Sequence, residues 1–183
     1  EASRIEKSNV EERIEEADLY NEALLLGFNE LQDPFEKDKI NKARESYARM
    51  LELNEVIGLV KIPKIRVDLP IYAGTSDKIL LKGVGQMPGS SLPVGGLNTN
   101  SVLTAHSGIS EKKLFNDLYK LEEGEVFSVE NIQGRLNYQV KEIKTIEAND
   151  FDSLAIVDDK DLVTLMTCTP IGINTHRLLV IGE

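Results

Sequence analysis

Tryptophan is absent from this chain, cysteine occurs once, histidine twice, and aromatic residues make up only 5% of the total. One cysteine permits no internal disulfide, so oxidative stapling plays no part in the fold. One cysteine and two widely separated histidines also lack the ligand spacing of a zinc site. The glycine pairs Gly83-Val84-Gly85 and Gly95-Gly96 read as turns, not as a phosphate-binding loop. The expectation is a protein with no metal and no cofactor. Basic residues are in deficit, 21 against 31 acidic ones, for a formal net charge of −10. That balance argues against nucleic acid or an anionic membrane surface as the main partner, and a neutral or mildly cationic substrate fits better. No run of about 18 apolar residues occurs, so nothing in the sequence reads as a membrane-spanning helix. The chain starts Glu1-Ala2-Ser3 without an initiator methionine and stops at Gly182-Glu183. Targeting or anchoring segments are therefore expected beyond its ends.

What is present suffices, at 183 residues, for one full core with an appendage. The chain divides into a helical front, residues 1–54, and a β-rich body, residues 55–183. From Ser8 the apolar positions Val10, Ile14, Ala17, Leu24, Leu25, Phe28 and Leu31 recur at helical spacing, and Ser8 with Glu11 forms a capping-box pattern. The acidic cluster Glu11, Glu12, Glu15 and Glu16 reads as a solvated face. The pattern breaks at Gln32-Asp33-Pro34-Phe35, because proline lacks an amide donor and disfavours the helical region for the residue before it. A second helix resumes through Ile40, Ala43, Tyr47 and Leu51. Taken locally, Asp33-Pro34 is an ordinary turn or helix-start pair, with Phe35 packing on its own helix.

After Asn54 the sequence becomes β-branched and is punctuated by proline and glycine, as strands are. Two such runs cover Val56 to Pro63 and Ile65 to Tyr72, a short helix follows from Ser76 to Leu81, and Gly85 to Asn100 has the composition of a long surface loop. Ser101 to His106 reads as the next strand and Leu114 to Leu121 as a short helix with Phe115, Leu118 and Tyr119 on one side. Glu125 to Asn131 and Arg135 to Ile146 alternate around Ile132-Gln133-Gly134, as a hairpin does. An acidic, irregular stretch from Asp150 to Asp161 precedes the strand that carries Cys168. About eight short strands with glycine and proline turns predict a mainly β fold, a closed or nearly closed barrel.

Chemistry can be sought at Cys168, His106 and Arg177. A cysteine nucleophile needs a base or an imidazolium partner, and a donor for the oxyanion that forms on the attacked carbonyl. His106 ends a strand and is followed by small Ser107-Gly108, a position from which an imidazole can project into a cleft. His176 adjoins Arg177 in what should be a strand, where successive side chains point to opposite faces. If Arg177 faces Cys168, then His176 faces away. The plainer reading makes Cys168 one more small apolar residue at the end of a buried strand, and each histidine an ordinary hydrogen-bonded ring.

Thr164-Leu165-Met166-Thr167-Cys168, with His106 upstream in Thr104-Ala105-His106 and Arg177 nine positions after the cysteine (177 − 168), resembles the signature of the sortases, cysteine transpeptidases of the Gram-positive cell surface. The helical front adds a finer resemblance. Asp33-Pro34-Phe35 is similar to the Asp-Pro-aromatic lid of class C, pilus-building sortases, which lies across the catalytic groove.

The resemblance implies an eight-stranded barrel with Cys168 as nucleophile, His106 as acid and base, and Arg177 as carbonyl and oxyanion donor. It implies cleavage of a Leu-Pro-x-Thr-Gly-like sorting signal between threonine and glycine, and transfer of the resulting thioester to a lysine amine of another pilin. Pilin subunits would be the partners, and a membrane anchor would lie in segments beyond this chain. Asp33 would pair with Arg177 while Phe35 covers Cys168. Two alternatives stay in view: a housekeeping sortase that joins proteins to cell-wall peptide, and a non-catalytic β-barrel binding module whose Cys168 is only core.

Overall fold

The computed structural model describes residues 2–26 and 34–183. Helices α1 (Ala2–Leu26) and α2 (Pro34–Leu53) come first. Eight strands follow: β1 (Val56–Ile62), β2 (Val67–Ala73), β3 (Val84–Gln86), β4 (Thr99–Thr104), β5 (Val126–Asn131), β6 (Gly134–Glu147), β7 (Asp161–Thr169) and β8 (His176–Gly182). They close into a barrel in the order β1-β2-β3-β4-β7-β8-β6-β5, the mainly β architecture the sequence predicts. The β2–β3 and β4–β7 pairs are parallel. One short helix, α3 (Asp77–Leu80), makes the crossover between β2 and β3, its N-terminus capped by the Ser76 hydroxyl.

Alternation along the strands sends one set of side chains inward. Val60, Ile62, Ile71, Leu103, Phe127, Val129, Val163, Leu165 and Val180 are buried in one core, which Phe115 and Leu118 from the β4–β5 connection plug. The opposite face of β6, β7 and β8 carries a second, smaller cluster of Ile146, Leu162, Leu179 and Ile181, with Leu154 of the β6–β7 connection and Met166 packed against it. Asn100 fixes that connection to the sheet: its side-chain amide donates to the carbonyls of Leu154 and Ala155, both at 3.2 Å, and its oxygen accepts from Thr164 Oγ1 at 2.9 Å. The outer face of β4, β7 and β8 is thereby walled on one side.

The helical hairpin has its own core. Ala17, Tyr20 and Asn21 on α1 and Ala43, Ser46, Tyr47 and Met50 on α2 are buried, each set following the i, i+3, i+4, i+7 rule for one helix face. Tyr20 and Tyr47 stack with centroids 4.7 Å apart. Polar contacts bolt the hairpin to the barrel. Tyr47 donates its hydroxyl to Gln86 Oε1 at 2.7 Å, and Asn21 accepts from the Leu92 amide at 2.7 Å while donating to the Leu92 carbonyl at 3.3 Å.

Several local expectations are corrected. The helix runs unbroken from Ala2 through Ser8, so Ser8 is not its cap. Leu25 on α1 is exposed, and so is Leu51 on α2, where the inward stripe runs through Met50 instead. The stretch from Gly85 to Asn100 is not a plain surface loop. It starts in β3, ends in β4 and buries Gln86, Ser91 and Leu92, with Gln86 and Leu92 bonded to the hairpin, a cover that local composition does not reveal. The expected helix at Leu114–Leu121 shrinks to a 3₁₀ turn, Leu118–Lys120. Other bonds hold the segment: the Phe115 amide donates to the His106 carbonyl, and the Asn116 side chain accepts from the Gly108 amide and donates to the Ile109 and Lys112 carbonyls. Phe115 and Leu118 are buried, but Tyr119 is exposed.

Candidate active site

Cys168 is the penultimate residue of β7, and Arg177 is the second residue of β8. The two are direct partners in the antiparallel register, with Thr169 opposite His176 and Ile146 of β6 beyond Arg177. Directly opposed residues of an antiparallel pair project to the same face. Val163 and Leu165 point into the barrel core, whereas Leu162 and Met166 belong to the outer cluster. Alternation therefore puts Cys168 and Arg177 together on the outer face. His176 falls on the other side of its strand, is exposed, and lines a separate cavity of about 360 Å³ with Glu147, Asn149, Phe151 and Thr175.

His106 lies two residues beyond Thr104, the last residue of β4, which is in register with Met166. Carrying that register forward (104 + 2, 166 + 2) brings His106 level with Cys168. Ala105 belongs to the core, so alternation sends His106 outward. The segment is tied to β7 by three hydrogen bonds: Ala105 amide to Met166 carbonyl at 3.2 Å, Thr167 Oγ1 to Ala105 carbonyl at 2.7 Å, and Ser107 Oγ to Cys168 carbonyl at 2.8 Å. Gly108 follows with φ +80°, where a side chain would be strained, and an added Cβ would stand 2.8 Å from Ile171 of the β7–β8 loop. That loop therefore rests directly on the turn after His106.

Cys168, His106 and Arg177 are all partly exposed. Arg177 Nη1 donates to the carbonyls of Asn174 at 3.0 Å and His176 at 2.9 Å, which aims the guanidinium; among the described residues its other donors have no hydrogen-bond partner. Among the described residues, neither Cys168 Sγ nor the His106 ring has a hydrogen-bond partner. The site thus offers a thiol, an imidazole and a permanently charged multiple donor along one sheet face. Exposed Phe151 and Val157 come from the β6–β7 connection, and exposed Ile171 and Ile173 from the β7–β8 loop. Among the described residues no group of three or more histidine, cysteine or carboxylate side chains could hold a metal ion. A separate, mostly apolar cavity of about 340 Å³ between the hairpin and β1, lined by Ala17, Met50, Ile57 and Leu92, contains none of the three residues.

The family model described as Sortase domain matches residues 60–183, more than half of the chain. The chain belongs to the sortase family. Among solved sortases it is similar to sortaseC1 of Streptococcus suis, 48% identical over 92% of this chain and 93% of that one, with a TM-score of 0.86. It is also similar to sortase C of Clostridium perfringens, solved with the C-terminal cell wall sorting motif: 45% identity, 100% of this chain, 95% of that one, TM-score 0.81. These neighbours place the chain with the class C sortases, as the Asp-Pro-aromatic resemblance implied. Sortase A of Bacillus anthracis is more distant, 27% identical over 73% of this chain, which spans 61% of that relative's length.

Of the lid residues, Asp33 lies outside the described residues. Pro34 and Phe35 open α2, and their side chains also fall outside what is described. Sequence reasoning missed Ser107. Its only signal was its place between His106 and Gly108, which says nothing of a partner 61 residues away.

Proposed function

We propose that this sortase is a cysteine transpeptidase whose nucleophile is Cys168. The observation that carries the reading is the register row in which Cys168 and Arg177 stand opposite each other at adjoining strand ends, beside the His106 segment. Cys168 as thiolate attacks the threonine carbonyl of a Leu-Pro-x-Thr-Gly-like sorting signal. The C–N bond to glycine breaks, and His106 protonates the departing amine. Arg177 donates to the oxyanion, and its rigid fork suits that task better than a point charge. The product is a thioester on Cys168.

In the second half an incoming amine attacks the thioester, gives its proton to His106 and releases the Cys168 thiolate. Membership of class C favours a lysine of a second pilin as that amine, so the product is an isopeptide bond and the process is pilus polymerisation. The sorting motif named for the Clostridium perfringens protein supports the substrate class. Asp33-Pro34-Phe35, the last two of which open α2, form the lid, with Asp33 pairing to Arg177 and Phe35 covering Cys168. Residues 1–54 then act as a regulatory front to the catalytic barrel of residues 55–183. The enzyme works at the cell surface, held by an anchor in segments outside this chain. No helix among the described residues is long and apolar enough to cross a membrane.

The test is mass spectrometry after incubation with a sorting-signal peptide. A thioester adduct that is lost in Cys168→Ala supports the reading. No adduct, even with Asp33 and Phe35 replaced by alanine, overturns it. Supplying pilin lysine and cell-wall peptide amines in parallel separates pilus polymerisation from cell-wall anchoring.

A further inference from the structure

The segment that carries His106 leaves the sheet without letting go of it. Strand β4 ends at Thr104, opposite Met166, and the Ala105 amide still donates to the Met166 carbonyl at 3.2 Å. In a parallel ladder the amides of alternate residues donate to carbonyls two residues apart on the neighbour. The next donation should therefore run from the Ser107 amide to the Cys168 carbonyl. That carbonyl accepts instead from the Ser107 side chain, Oγ to O at 2.8 Å. A hydroxyl on a Cβ reaches farther than a backbone N–H, so the main chain at Ser107 can stand off from β7 while the rung is kept.

The other side of the segment is held separately. The His106 carbonyl accepts the Phe115 amide at 3.0 Å, and the Gly108 amide donates to Asn116 Oδ1 at 2.9 Å. Together these bonds pull the backbone after Ala105 toward the β4–β5 connection, while Ser107 tethers it to the strand bearing the thiol. We propose that Ser107 is a positioning residue: its hydroxyl replaces a ladder amide and fixes how far the His106 imidazole stands from Cys168. The inference rests on the transpeptidase reading of those two residues. Ser107 acts through them and has no task at the reacting atoms. The Ala105 amide and the Thr167 hydroxyl still join the segment to β7 when Ser107 is changed, so the loss is one of alignment and not of folding.

The test compares Ser107→Ala, which deletes the hydroxyl, with Ser107→Thr, which keeps it. Two readouts are taken: steady-state kinetics with a Leu-Pro-x-Thr-Gly peptide, and the rate of Cys168 alkylation by iodoacetamide at neutral pH. One lost hydrogen bond that aligns the imidazole should lower kcat about tenfold in Ser107→Ala, with KM within about twofold. Alkylation should slow severalfold, and Ser107→Thr should restore both to within about twofold of the wild type. Wild-type kcat and alkylation in Ser107→Ala would overturn the proposal, and so would a threonine variant as slow as the alanine one. If the wild type forms no thioester with the peptide, the transpeptidase reading falls, and the alkylation rates still decide whether Ser107 positions the pair.

Discussion

Two polar seams of this molecule, one under the helical hairpin and one at the end of β7, are built in opposite ways. Under the helical hairpin, Gln86 is fully buried, and its amide oxygen accepts from Tyr47 while its nitrogen donates to the Met87 and Ser90 carbonyls, each at 2.8 Å. Asn21 exchanges two bonds with Leu92. At the end of β7 the backbone is just as well satisfied, with Cys168 and Ala105 carbonyls taking the Ser107 and Thr167 hydroxyls. The side chains there are not: among the described residues the Cys168 thiol and the His106 ring have no partner. Buried polar groups without partners cost stability, and under the hairpin the amides of Gln86 and Asn21 are each held by more than one bond. The seam proposed as the active site uses its bonds for backbone placement and leaves its side chains open.

The largest break in that contrast comes from removing the open side chains. Cys168→Ala should abolish the thioester entirely and lower turnover by at least about 10³-fold, because no other group in the site can carry the acyl chain. The unfolding midpoint should barely move, since the thiol is partly exposed and forms no hydrogen bond among the described residues. Thermal unfolding beside peptide cleavage checks both halves. A large loss of stability would return Cys168 to the role of a core residue.

Arg177→Lys should come next. Lysine keeps the positive charge but loses the planar fork that Asn174 and His176 carbonyls orient through Nη1. A fall in kcat of roughly 10²-fold is expected, the size seen when one oxyanion donor is lost. Cleavage kinetics check it, and an unaltered kcat would reduce Arg177 to an anchor for the β7–β8 loop.

Much of this contrast was visible in the residues, and the reason it was not all visible is physical. Strand texture after Asn54, the glycine turns and the hairpin at Ile132-Gln133-Gly134 are local signals, and they predicted the barrel. The conditional argument that His176 faces away if Arg177 faces Cys168 needed only the two-residue period of a strand, and the β7–β8 register supplies its condition. What could not be read locally was anything settled by a distant partner. Gln86 looked like a loop residue because its burial is imposed by Tyr47, 39 positions earlier. Leu114–Leu121 has a helical pattern, but Asn116 and the Phe115 amide are claimed by the turn after His106. Ser107 owes its interest to a carbonyl on another strand.

A smaller effect sharpens the comparison from the reactive side. Replacing Asp33 and Phe35 by alanine should speed labelling of Cys168 by a thiol reagent by about twofold to fivefold, because an exposed ion pair of the kind proposed with Arg177 is worth about 0 to 1 kcal/mol. Labelling rates for the two single variants and the double variant check it. An unchanged rate in all three would remove the lid and leave the hairpin as a structural appendage.

The smallest effect on catalysis, and the clearest test that the seams are separate, belongs to Tyr47→Phe. Burial pushes the Tyr47 hydroxyl far above its ordinary pKa, so it stays protonated and donates to Gln86 Oε1 across the working pH range. Phenylalanine keeps the stack on Tyr20 but leaves that buried oxygen without its donor, a loss of about 1 to 3 kcal/mol. For a chain of this size the midpoint should fall by roughly 2 to 12 °C. The kcat for a sorting-signal peptide should stay within about twofold of the wild type at temperatures well below the transition, because among the described residues no hydrogen bond links the Gln86 seam to Cys168, His106 or Arg177. A kcat that fell in step with the midpoint would mean that the hairpin's docking is felt at the end of β7, and the two seams would then have to be treated as one.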